Sequence, residues 1–136
     1  MKSRVVVVGL INKRDKYLLG RKPKNIGPYP NTWNIPGGGV NLEEETVEEA
    51  LRREIAEETA IEIDDIQHIG FDEDTEPDKH GEMTHYLFLA FKATYKSGTV
   101  KPGDDISSLS WVGKDKIKSL TLNKPSKKLF KNLKIL

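Results

Sequence analysis

The chain has no cysteine, which excludes a disulfide framework, a zinc–thiolate ribbon and a thiol nucleophile together. It also lacks an excess of either charge. With 22 basic and 21 acidic residues, no molecule-wide field draws it to nucleic acid or anionic lipid, so stable nucleic-acid binding is not expected. Long hydrophobic runs are missing too. The run Val5–Val8 near the start is far short of a signal-peptide core or a membrane span, and a cytoplasmic location without a membrane partner is the expectation. No internal repeat or low-complexity tract interrupts the chain.

What is present suits one domain over residues 1–136: 36% hydrophobic and 32% charged residues, at a length typical of a single core. The charges are unevenly spread. Seventeen of the 21 acidic residues fall between Glu43 and Glu82, and eight lysines fall between Lys114 and Lys134. The lysines read as a solvent face, and the acidic half carries the information.

Arg4–Ile11 is dense in valine and isoleucine, Asn12–Asp15 supplies polar turn residues, and Tyr17–Leu19 resumes an apolar run, which together predict a β-hairpin. Arg21–Gly39 reads as loop, with a short strand at 32–35. Thr46–Thr59 is the long helical pattern, opened by the capping box Thr46-x-x-Glu49. Next come a strand at Ile61–Phe71, an acidic loop at Asp72–Gly81 and a strand at Thr84–Thr94. After a loop at Lys96–Ser107 come a short strand at Leu109–Val112, a helical turn at Lys114–Lys118, and a C-terminal helix with Leu129, Phe130, Leu133 and Leu136 on one side. This order predicts an α+β fold, a mixed sheet with helices packed on it.

At about 100° per residue, Val47, Ala50 and Leu51 lie within about 60° of Glu54, and so do Glu57 and Glu58. A stripe that is apolar in the first two turns thus becomes three glutamates in the last. Carboxylates at i, i+3 and i+4 stand roughly 5–6 Å apart at Cβ, and at an effective dielectric near 20 each pair repels by roughly 3 kcal/mol. One of them holds a proton, or a cation sits among them. All-oxygen ligation favours a hard cation, and Mg²⁺ held by a few carboxylates commonly takes phosphate oxygens as further ligands. Ahead of the helix, Pro36-Gly37-Gly38-Gly39 lets backbone approach phosphate or offers a carbonyl to a metal.

Loop and helix together resemble the Nudix box: Gly, five residues, Glu, seven residues, then Arg-Glu-U-x-Glu-Glu-x-Gly-U, where U is aliphatic. Here Gly39 precedes Glu45 by that spacing, and seven residues later comes Arg53-Glu54-Ile55-Ala56-Glu57-Glu58-Thr59-Ala60-Ile61. The resemblance implies a Nudix-type α/β/α sandwich. It also implies a Nudix hydrolase that cleaves a diphosphate linkage in a nucleoside diphosphate derivative with Mg²⁺ or Mn²⁺. Glu54, Glu57 and Glu58 then look like the catalytic and metal-binding glutamates, with Glu54 the first candidate for general base. Glu45 and Arg53 look like the structural pair that orients helix and loop, with Arg53 pointing away from the glutamates. Two departures stand out. Ala60 replaces the box's last glycine, where helices often end in a left-handed residue. The glycine loop is also one residue longer than usual before Glu45, so either the Gly38 or the Gly39 carbonyl is the metal ligand. Asp104 and Asp105 are the acidic residues of a later loop, from which some family members draw the base.

Weaker marks bear on substrate. Asn123-Lys124-Pro125 resembles the Asn-x-Pro with which MutT-like enzymes bond a purine, including an oxidised one, though Asn123 also suits a helix N-cap. Arg21 sits where many members place a phosphate-contacting arginine. Pro77-Asp78-Lys79-His80 resembles a MutT-like loop, while a proline at that distance from the box also marks ADP-ribose-cleaving members. Tyr29, Trp33 and Phe71 are the candidates for stacking on a base, with core the better expectation for Trp33, and His68, His80 and His85 read as ordinary surface histidines. The expected substrate is a (d)NTP, cleaved by a pyrophosphohydrolase. ADP-ribose or an ADP-sugar is the alternative, as is a module that binds nucleotide without cleaving it. Dimerisation with a second copy is an expectation of the resemblance alone.

Overall fold

The valine-rich start of the chain forms β1 (Lys2–Lys13), which turns into β2 (Lys16–Arg21) through Arg14 and Asp15 at φ 50° and 64°. Two successive positive φ values are what a tight two-residue hairpin needs to match strand twist. These strands belong to a computed structural model that describes residues 1–25 and 27–136; position 26, in the expected Arg21–Gly39 loop, lies outside the described residues. The other elements are β3 (Trp33–Asn34), β4 (Gly37–Gly39), α1 (Val47–Thr59), β5 (Glu62–Pro77), β6 (Met83–Ser97), β7 (Ser108–Gly113), α2 (Lys114–Ile117) and α3 (Lys124–Asn132).

The strands form a mixed seven-stranded sheet in the order β3-β2-β1-β6-β5, with β4 also on β1 and β7 also on β2. β1 and β6 run parallel from Lys2↔Thr84 to Asn12↔Thr94. Because side chains alternate across a strand, β1 serves two cores. Val7 and Ile11 pack with Leu51 and Ile55 of α1, while Leu10 packs with Ile117 of α2 and Phe130 of α3. Helices therefore cover both faces, as the α+β expectation requires.

Helix α1 begins as the capping box predicts. The Glu49 amide donates to Thr46 Oγ1 at 3.1 Å, and the Thr46 amide donates to Glu49 Oε1 at 2.9 Å. It ends at Ala60, which takes the left-handed conformation (φ 63°, ψ 20°) despite its β-carbon.

Three expectations need correction. The acidic stretch after Phe71 is strand, not loop: β5 continues to Pro77, paired residue by residue with β6 from Phe71↔Leu89 to Pro77↔Met83. Pairing with an apolar partner strand overrides the poor strand propensity of Asp and Glu. The triple glycine is also a strand, held antiparallel to Val6–Val8 of β1. Finally, α3 stops at Asn132, and Leu133 and Leu136 are each 37% exposed, so Phe130 rather than the leucine series anchors this helix in the core.

Candidate active site

The last turns of α1 and the β4 strand bring the predicted residues together. Glu54 and Glu58 are only 8% and 7% exposed, while Glu57 is exposed at the rim. One oxygen each of Glu54, Glu57 and Asp104 lie within 4.8 Å of one another. Glu58 stands beside this group with Oε1 accepting the Gly37 amide at 2.9 Å. Burial pushes the Glu58 carboxyl up to about 8, against the Gly37 hydrogen bond and with the charge of Glu54 adding to it. The Glu54 carboxyl is raised as well, by burial first, and Arg53 opposes the shift. Carboxylates drawn out of water and toward one another either take protons or receive a cation.

Asp104 reaches the cluster because its loop is tied to the end of α1. The Lys101 amide donates to the Thr59 carbonyl at 2.9 Å and the Gly103 amide to the Glu58 carbonyl at 3.0 Å, so loop amides satisfy carbonyls that a helix end leaves unpaired. A β-carbon at Gly103 would collide with the Glu57 carbonyl. The Gly-Asp-Asp turn is therefore held against the carboxylates of α1.

Glu45 and Arg53 form the expected pair. Nε and Nη2 of Arg53 donate to the two Glu45 oxygens at 2.9 and 2.7 Å, and Nη2 also donates to the Gly39 carbonyl at 3.1 Å. The expectation that Arg53 points away from the glutamates is corrected. Its Nη1 donates to Glu57 Oε2 at 3.2 Å, an i, i+4 neighbour on the helix surface, and to Glu54 Oε1 at 2.7 Å, which the long side chain reaches sideways.

Register sets the direction of the glycine carbonyls. The Gly9 amide bonds the Pro36 carbonyl and the Val40 amide bonds the Val5 carbonyl. Alternation in an antiparallel ladder then turns the polar groups of Gly38 toward Val7 and those of Gly37 and Gly39 toward α1. The Gly39 carbonyl meets Arg53 there, and the Gly37 carbonyl faces the same side as its amide, where Glu58 stands. Gly38 contributes differently: a β-carbon on it would occupy the space of the Glu54 carboxylate.

The three glycines, Glu54, Glu58 and Asp104 line a cavity of about 300 Å³ that also takes in Tyr29, Tyr86 and Phe88, which form an aromatic cluster with Val6 and Val8 packed on it. Tyr29 is fixed by its hydroxyl, which donates to Asp74 Oδ2 at 2.6 Å. Trp33 instead packs against the α2/α3 core, and Phe71 is 71% exposed. Asn123 caps α3, with Oδ1 accepting the Ser126 amide at 2.9 Å, and it lines the cavity as well. Of the histidines, His80 lines the cavity and His85 Nε2 lies 2.7 Å from Glu73 Oε2, while His68 is exposed.

Arg21 does not reach the cavity; its Nη2 donates to Asn31 Oδ1 at 2.6 Å. The neighbouring Lys22 lines it instead, with a pKa lowered by burial, an effect that Asp105, Glu58 and Asp104 oppose. Sequence reasoning missed Lys22, although alternation along a strand already implies that adjacent residues face opposite ways. It missed Asn34 as well. That side chain lines the cavity at 7% exposure and, among the described residues, hydrogen-bonds to no protein group.

The sequence matches the NUDIX domain over residues 1–133. It is 30% identical over 136 residues to nucleoside triphosphatase NudI of Enterobacter sp. (strain 638), covering 96% of both chains. It is 32% identical over 130 residues to NudI of Klebsiella pneumoniae (strain 342), covering 90% of this chain and 91% of that one. The crystal structure of a MutT NUDIX hydrolase from Burkholderia pseudomallei, at 23% identity, shares the fold with a TM-score of 0.82 over 96% of this chain and 98% of its own. The MutT protein from Methanosarcina mazei Go1 does so with a TM-score of 0.78 at 27% identity, over 96% and 92%. With the box running from β4 through α1, Glu54 and Glu58 lining one cavity and the domain matched almost end to end, the chain belongs to the Nudix hydrolase family.

Proposed function

We propose that this Nudix hydrolase is a MutT-like pyrophosphohydrolase that converts a nucleoside triphosphate and water into the monophosphate and pyrophosphate. The observation that carries the reading is the composition of one cavity: a carboxylate cluster, a half-buried lysine and an aromatic wall, sized for a nucleotide. The whole-length relatives named nucleoside triphosphatase support the triphosphate.

The cluster fits a divalent cation, since its donors are all oxygen, three carboxylates converge within 4.8 Å, and Glu58 is buried with, among the described residues, one hydrogen bond to its carboxylate. Glu57 and Asp104 of that trio, with Glu58 beside them, are assigned to hold Mg²⁺ or Mn²⁺, with the Gly37 carbonyl in place of Gly38 or Gly39. When bound, the ion supplies Lewis-acid stabilisation of the charge that develops on the diphosphate. Glu54 has Oε1 committed to Arg53, and its Oε2 is assigned to accept the proton of the attacking water. Lys22 neutralises phosphate charge beside Glu58 and Asp105. Tyr29 and Phe88 offer the base a stacking surface, and the carboxamides of Asn34 and Asn123 offer it donors and an acceptor.

Product identification tests this reading. Pyrophosphate and monophosphate from a panel of (d)NTPs, oxidised purines included, are expected with Mg²⁺ present. AMP and ribose phosphate from ADP-ribose, without triphosphate cleavage, would replace it with the ADP-ribose alternative. Nucleotide binding with no product would replace it with a binding module.

A further inference from the structure

The two-residue period of β1 sends Lys2, Arg4, Val6 and Val8 to one face, and all four line the cavity. Lys2 is committed, with Nζ 2.8 Å from Asp78 Oδ2 and 3.2 Å from Glu82 Oε2. Arg4 is not. Among the described residues its guanidinium, with five N–H donors, joins no hydrogen bond or ion pair. Arg4 and Glu54 also both line an open groove on the far side of β4, so Arg4 stands where two depressions meet at the edge of the carboxylate cluster.

Its seat is Gly39. A β-carbon there would collide with Nη2, Cζ and Nε of Arg4, so the guanidinium lies directly on glycine backbone. This gives the third glycine of Pro36-Gly37-Gly38-Gly39 a reason that is independent of metal ligation: it clears the space in which Arg4 lies. A cation placed beside acidic groups but bonded to none of them is available to an anion that approaches them. A guanidinium's planar fork suits paired phosphate oxygens. Lys22 occupies the Glu58–Asp105 side of the cluster, and Arg4 the Gly39–Glu54 side.

We propose that Arg4, seated on Gly39, is a substrate-binding residue that grips the phosphate chain of the nucleotide. The inference rests on the nucleotide-hydrolase reading for its substrate, but its test does not depend on turnover. Calorimetric titration with pyrophosphate in the presence of Mg²⁺ is expected to show affinity weakened about tenfold or more in Arg4→Ala, the range for losing a charge-assisted hydrogen bond, and less in Arg4→Lys. Gly39→Ala, which displaces the guanidinium, should weaken pyrophosphate binding in the wild-type background and add little to Arg4→Ala, as coupled sites do. In steady-state assays on a triphosphate, Arg4→Ala should raise KM by a similar factor and leave kcat within about threefold. Equal pyrophosphate affinity in wild type and Arg4→Ala, or no pyrophosphate binding by the wild type, would overturn the proposal. A wild type that binds pyrophosphate through Arg4 yet cleaves no nucleotide would sink the hydrolase reading instead.

Discussion

Glu58 is a carboxylate held where water barely reaches, with one backbone amide for company. Its carboxyl stands at about 8, against 4.5 for an ordinary glutamate, so in the metal-free protein the protonated form is the one the fold favours. Stability is therefore fully present below about pH 4.5 and declines as pH rises through about 8, because ionisation is easier in the unfolded chain. Glu58→Gln removes that titration. Denaturant midpoints of the two metal-free proteins should coincide near pH 4.5 and diverge toward pH 9 with the variant more stable; a variant that is no more stable at pH 9 would show that Glu58 is well solvated. Glu57 is the contrasting case, its side chain 47% exposed. Glu57→Gln should leave the melting temperature almost unchanged and lower kcat at least about tenfold, through loss of the proposed metal contact. Full activity would remove Glu57 from the metal site. At this scale the three glutamates were legible because helical periodicity fixes which residues share a face. The i, i+4 spacing already put Arg53 beside Glu57, but its reach to Glu54 was not legible, since position on a helical wheel says where a side chain starts and not where a flexible guanidinium ends.

At the scale of elements, the site depends on how the C-terminal end of α1 joins its neighbours. Ala60 closes the helix in a conformation that costs a residue with a β-carbon about 1 kcal/mol. Ala60→Gly should relieve that cost and raise the melting temperature by about 4 °C, with kcat unaltered; a lower melting temperature would mean that the entropy lost by glycine outweighs the strain. Gly103 sits against the same helix end with no room for a β-carbon. Gly103→Ala should push the loop outward, take Asp104 from Glu54 and Glu57, and reduce turnover more than Asp104→Asn does. Equal losses in the two variants would mean that the loop accommodates the methyl group. The capping box made α1 readable because its chemistry is local, complete within Thr46 and Glu49. The extension of β5 through Asp72–Pro77 was not readable, because those acidic residues are strand only by virtue of their pairing with the Met83–Phe88 portion of β6.

Over the whole molecule, the sheet order rests on pairings such as Lys2↔Thr84 and Val6↔Gly39, whose partners lie far apart in sequence and carry no mark naming each other. Six of the seven strands and the layered class were set by local pattern, whereas β4, which glycines form only against β1, and the convergence of the Asp104 loop on α1 are properties of the assembled chain. With the carboxylates as the proposed cation site, that convergence couples folding to the ion. A cation that binds the assembled carboxylates and not the unfolded chain stabilises the protein by about 2.7 kcal/mol at one hundred times its Kd, which corresponds to a rise of about 10 °C in melting temperature. Binding requires deprotonated ligands, so the rise should be small near pH 5, where Glu58 holds its proton, and grow as pH passes through about 8. Glu57→Gln should shrink the rise at every pH, whereas Ala60→Gly, remote from the ligand oxygens, should shift the baseline and keep the increment. Thermal scans with and without Mg²⁺ at pH 5, 7 and 9 check this directly. A rise of equal size at all three would mean that the ion binds elsewhere, since only a site built on the buried glutamate must compete with a proton for its occupancy.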